Sequence, residues 1–143
     1  AALTAIEALL ATITVANGYA LTVGKVTRQF QAADAMAATE LPCLIVDDEG
    51  SEEIAYKTGG FADITFEVSI IGYVSAHEHL STALNVLDVA AKKALGTDPT
   101  LGGTVLNVTI DGVKERSGIK FRPYGWFRRV IRVTYEGNMT GGL

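Results

Sequence analysis

Residues 61–72 run FADITFEVSIIG, and the alternation within them points to the architecture of the chain. Ala62, Ile64, Phe66, Val68 and Ile70 take every second position, with Asp63, Thr65, Glu67 and Ser69 between them. Successive strand side chains point to opposite faces, so the run predicts a strand with one buried and one polar side, closed by Gly72-Tyr73. Such half-wet strands belong to antiparallel sheets, because parallel sheets are covered on both faces.

Working outward, residues 80–95 carry Leu80, Leu84, Leu87, Ala91, Ala94 and Leu95 at helical spacing. That stripe predicts an amphipathic helix, opened by a capping box at Ser75-Ala76-His77-Glu78, supported by Lys92-Lys93 near its negative end and stopped by Gly96. A first helix is expected from Leu3, Ile6, Leu9, Leu10 and Ile13, ending at Asn17-Gly18. Residues 19–28 are expected as a short strand, and residues 43–46, after Pro42, as a buried one. Residues 31–39, alanine-rich and weakly patterned, suit a loop or a short helical turn.

Residues 47–60 combine acids, serine and Gly59-Gly60 and suggest an exposed hairpin loop. Residues 104–113 alternate with Leu106, Val108 and Ile110 inward, and Asp111-Gly112 suits a turn or bulge. The last strand is expected over residues 126–136. Phe127, Ile131, Val133 and Tyr135 share one of its faces, and Trp126, Arg128, Val130, Arg132 and Thr134 the other. Arg129 interrupts the apolar face, which implies a strand end, a bulge or a partner carboxylate; Glu67 suits a cross-strand pair with Arg128 or Arg132.

Strands and helices do not alternate regularly. The expected fold class is therefore α+β, a mostly antiparallel β-sheet with two main helices packed on one face. At 143 residues and 48% hydrophobic composition a single domain, 1–143, is sufficient, with a flexible C-terminal tail from about residue 138. Apolar runs of a few residues fall far short of the roughly 20 that cross a bilayer, so no membrane partner is expected. The opening Ala1-Ala2-Leu3-Thr4 lacks a basic region and apolar block, and assembly in a cytoplasm is the expectation.

The residues offer little chemistry. TDPTLGG, residues 97–103, follows a helix and precedes a strand, the reverse of a phosphate cradle, and no lysine follows its glycines. A calcium loop needs several oxygen ligands at alternate positions, and Asp98 is the sole acid there, so a plain turn is the reading. His77 and His79, two apart at a helix start, point in different directions and cannot share a metal as residues four apart could. Cys43, the one cysteine, sits in an apolar run as a small buried hydrophobe. No nucleophile, base and orienting group can be assembled, so no enzyme, cofactor or metal is expected.

Charge is segregated although the net value is only −4. Asp47, Asp48, Glu49, Glu52 and Glu53 form an acidic block with Glu40, while Lys114, Arg116, Lys120, Arg122, Arg128, Arg129 and Arg132 cluster late. Solvated surface charge accounts for both blocks equally well. Bases interleave with Tyr124 and Trp126 across residues 120–129, as in single-strand nucleic-acid sites; the acidic whole favours a protein interface instead.

Five segments carry a resemblance spanning nearly the whole chain: IEALLATITVANGYALTVGKVTR, LPCLIV with its acidic follower, FEVSIIGYV, ALNVLDVAAKKALGTDPTLGG and RRVIRVTYEG. In pattern and order they resemble the tail terminator, or tail-completion, proteins of long-tailed bacteriophages, often labelled minor tail proteins. The resemblance implies an α+β virion subunit that forms a homo-oligomeric ring, a hexamer, on the completed tail tube at the tail-neck junction. Its implied partners are the tail tube protein, the head connector or neck protein, and DNA in transit through the lumen. The family supplies no catalytic residues. Unlike patches meet in a head-to-tail ring, so the candidate subunit or tail contacts are Asp47, Asp48, Glu49, Glu52, Glu53, Lys120, Arg122, Tyr124, Trp126 and Arg128. A neck or head-tail adaptor subunit, and a single-stranded nucleic-acid-binding module, are the alternatives.

Overall fold

The computed structural model describes residues 2–28, 41–75, 80–103, 105–116 and 124–138. Helix α1 (Ala2–Leu10) leads into strands β1 (Lys25–Thr27), β2 (Cys43–Tyr56) and β3 (Phe61–Ser75). Helix α2 (Leu80–Gly96) follows, and then β4 (Asn107–Arg116) and β5 (Tyr124–Asn138). They form one five-stranded sheet in the order β1-β2-β3-β5-β4, antiparallel except for the short parallel β1–β2 pair. The fold is α+β, as the alternation in residues 61–72 implied.

Both helices lie on one face. Ile6 and Leu10 of α1 and Leu84, Leu87, Ala91, Ala94 and Leu95 of α2 share a core with Leu44, Val46, Val68, Ile70, Val74, Phe127, Ile131 and Val133 of the sheet. The register explains the membership: Val68 pairs with Ile131 and Phe66 with Val133, so alternate residues of neighbouring strands present one continuous apolar surface. Burying each large aliphatic side chain contributes about 1.5–3 kcal/mol, and this layer supplies most of the driving force.

Several expectations change at element ends. α1 stops at Leu10, short of Asn17-Gly18, because Thr12, Ile13, Thr14 and Val15 are consecutive β-branched residues with poor helix propensity. Thr14 instead caps a separate 3-10 turn, Val15–Asn17, whose closing Gly18 has φ 89°. Ile13 still reaches the core. Of residues 19–28 only Lys25–Thr27 join the sheet. Of the expected capping box, Ser75 ends β3 and residues 76–78 lie outside the described residues, as do residues 31–39 and the tail beyond 138.

Gly72 does not close β3, which runs on to Ser75. Its role is clearance: a Cβ at Gly72 would stand 2.9 Å from Leu87 Cδ2 and inside the van der Waals surface of the Phe127 ring. Residues 97–103 form the expected helix-to-strand turn, with Leu101 N–H donating to Asp98 O at 3.1 Å and Gly103 N–H to Thr100 O at 3.0 Å. The left-handed positions are Leu101, Gly102 and Gly103, with φ of 50°, 71° and 86°. Leu101 holds this conformation with its side chain buried in the helix-side core. Leu106, expected inward, is 51% exposed; Val105 takes the core position, since β4 begins only at Asn107.

Candidate functional site

The largest departure from expectation lies in residues 47–60. They are not a loop: β2 continues through Tyr56, paired with β3, and only residues 57–60 turn. Acids and glycine are poor strand formers in isolation, but pairing with a long neighbour overrides that preference. Asp48 pairs with Val68 and Glu52 with Phe66, so β2 spends four steps where β3 spends two. Gly50, at φ 75°, gives this bulge its left-handed residue, and its N–H donates to Asp48 Oδ1 at 2.8 Å. An even number of added residues keeps both faces in phase on either side of it.

β1 covers β2 only at Cys43, Leu44 and Ile45. Among the described residues, the acidic part of β2 is therefore a lateral edge of the sheet. Asp47, Asp48, Glu52 and Glu53 are all exposed on it, and Glu49 lies within the bulge. Charges and a bulge are what keep such an edge from pairing indiscriminately.

The basic residues are divided. Arg129 sits on the helix face of β5 and its partner is Asp88 of α2, with Nε–Oδ1 at 3.2 Å and Nη2–Oδ2 at 2.8 Å, both residues buried. That resolves the interrupted apolar face as a bidentate ion pair. Arg132, half exposed, approaches Glu67 directly opposite at 3.9 Å, the expected cross-strand pair. Beside it Thr65 and Thr134 share a 2.9 Å hydrogen bond, and Glu52, Glu53, Thr65, Glu67 and Arg132 line a shallow depression of about 230 Å³.

Trp126 is less available than expected. It packs with Ile71 against a second small core of Cys43, Ile45 and Tyr73, on the sheet face away from the helices, and Arg128 lies half-buried on that same face. Cys43 is fully buried, as its apolar neighbours implied. Burial pushes the Tyr73 phenol above its ordinary pKa, and the neighbouring Cys43 adds to the shift. Tyr124 lies at the start of β5, whereas Lys120 and Arg122 fall outside the described residues. Among the described residues no group of three or more His, Cys, Asp or Glu could hold a metal, and no helix is long and apolar enough to cross a membrane.

The β2–β3 turn carries features that the sequence reasoning missed. Ile54, Tyr56 and Phe61 are 38%, 74% and 41% exposed around it. Lys57 bridges Asp63 Oδ1 at 2.9 Å and Glu136 Oε2 at 3.0 Å, tying the turn to the end of β5. The contact to buried Asp63 Oδ1 falls outside hydrogen-bond geometry and acts as a plain ion pair. Asp63, and after it Glu136, hold the Lys57 proton and raise its pKa. Tyr56 and Phe61 flanking Lys-Thr-Gly-Gly was the available signal.

No protein-family model matches the chain, and no curated protein matches it. Among solved structures, a chain from the virion of a native gene transfer agent particle is similar at TM-score 0.49 and 14% identity, over 94% of this chain and 94% of that one.

Proposed function

We propose that this chain is a structural virion subunit that closes with its own copies into a ring capping a phage-like tail tube. The ring ends tube polymerisation and presents the surface that the head connector or neck joins, in keeping with the segment-by-segment resemblance to tail terminators. One observation carries the reading. The sheet order has the acidic edge of β2 on one flank and β4, with Lys114 and Arg116, on the other, where Arg128 of β5 pairs with Glu115 of β4. Two unlike patches on opposite flanks of one rigid sheet suit a head-to-tail, heterologous contact, the kind that closes into rings.

A hexamer at the tail-neck junction is the form we propose, with DNA passing through the lumen. Acidic residues lining that lumen would keep phosphate from binding tightly and slowing transit. Mass measurement in solution with negative-stain imaging tests the reading: a closed ring is expected, weakened by charge reversal at Arg122 and Arg128. A monomer at every concentration, or an oligomer mass untouched by those reversals, would overturn it. A ring that engages a head connector and ignores the tail tube would make the chain a neck adaptor instead.

A further inference from the structure

We infer that the β2–β3 turn of one copy seats its aromatic tip in a groove beside α2 of a neighbouring copy; this rests on the ring reading and names one of its contacts. The knob is well defined. The turn end of β3 lies about 17 Å from Phe66, the β3 member of the helix-side core nearest the turn, at the usual rise per strand residue, and it is anchored by the fully buried Ala62 and Ile64. Tyr56 and Phe61 stand exposed at that end, and Lys57 braces it against Asp63 and Glu136. Large exposed aromatics on a braced turn are the anchors that protein interfaces use.

The socket lies in the helical layer. Tyr19 and Ala20 on one side and Val86, Val89, Ala90 and Lys93 of α2 on the other line a mainly apolar groove of about 430 Å³. Val89 is 57% exposed within it, an unusual position for an aliphatic residue on a helix whose other face is fully used. Lys93 holds its ammonium 4.7 Å from the Tyr19 ring centre, at the rim.

Charge selects the occupant. The turn end of the sheet carries Glu52, Glu53, Asp63, Glu67 and Glu136 against Lys57 and Arg132, whereas the groove offers Lys93 and no carboxylate among its lining residues. An acidic, aromatic turn and a basic, apolar recess on separate parts of one chain complement each other between copies, and an acidic partner edge then adds rate and register to the apolar contact. Contacts between different patches are heterologous, as the ring requires.

Paired cysteines test this, since the sole native thiol, Cys43, is fully buried. Under mild oxidation the Tyr56→Cys, Val89→Cys double variant should give a ladder of covalent multimers, and each single variant should give none. Val89→Glu, which sets a carboxylate against the acidic tip, should weaken association at least about tenfold while leaving the unfolding midpoint unchanged. Closed rings without the ladder would overturn the contact and leave the ring reading standing. Covalent dimers from Tyr56→Cys alone would show tips meeting tips and would also overturn it. A wild-type chain that never assembles removes both.

Discussion

Arg129 of β5 and Asp88 of α2 form a buried bidentate pair, at 2.8 and 3.2 Å, that fastens the long helix to the middle of the sheet. Lys92, one helical turn beyond Asp88, approaches the same carboxylate at 3.6 Å. Breaking a buried pair from one side costs about 3–5 kcal/mol, because the remaining charge stays in a poorly solvating place. Asp88→Leu should therefore lower stability by about that amount. Arg129→Met should cost less, since Lys92 still faces Asp88. The double variant should recover most of the loss, as apolar replacements of buried pairs often do. Denaturant unfolding of all three checks this; a double variant as unstable as the worse single one would count against it.

Gly72 makes room for the Phe127 ring and Leu87, where β3, β5 and α2 converge. Gly72→Ala should destabilise by about 1–3 kcal/mol through overpacking, even though alanine is the better residue for an ordinary strand interior. Phe127→Leu in the Gly72→Ala background should return part of that loss. Unfolding midpoints decide it: equal penalties with and without the ring would mean that backbone conformation, and not clearance, is the cause.

Alkaline stability carries a definite sign. The Lys57 pKa is raised above its ordinary 10.5 by Asp63 first and then Glu136, so its stabilisation is complete below that pH and fades as pH climbs through the raised value. The Tyr73 phenol is also raised, above 10.0, by burial. The unfolded chain then ionises first, and stability falls over the same range. Unfolding midpoints measured from roughly pH 8 to 11 should decline in the native chain and decline less in Lys57→Met and in Tyr73→Phe. Slopes identical to the native one in both variants would refute the assignment.

What the sequence conveys and what it withholds follow from the range of the forces. The period-two run in β3 and the leucine stripe of α2 are local patterns with a single packed solution, and both appear as expected. Arg129 announced a partner without naming it, since Asp88 lies 41 residues away and only the helix-on-sheet geometry joins them. The acidic half of β2 was hidden for a related reason: its strand character comes from pairing with β3, and residue propensity argues the other way. Val105 and Leu106 exchanged roles because both precede Asn107, where β4 and its alternation begin, whereas Val108 and Ile110 face the core as expected. Among the candidate contact residues, Asp47, Asp48, Glu52 and Glu53 of β2 are exposed, while Trp126 is drawn into the second core by Cys43, Ile45 and Tyr73.

The acidic edge of β2 yields a last prediction that separates assembly from folding. Glu52 and Glu53 are exposed on the edge strand of the hairpin, so reversing them to lysine should leave the unfolding free energy within about 0.5 kcal/mol of the native chain. Association should respond strongly instead, because the edge would now repel the basic flank of its neighbour. In the native chain, association should also weaken as salt rises, since screening shortens the reach of exposed charges to about 8 Å at physiological ionic strength. Adding Arg128→Glu to the reversed chain should restore part of the assembly if those flanks meet. Sedimentation of the three chains at two salt concentrations reads all of this at once. Salt-independent assembly, unchanged by the Glu52 and Glu53 reversals, would show that the acidic edge faces solvent in the oligomer and would remove the charge argument for the ring.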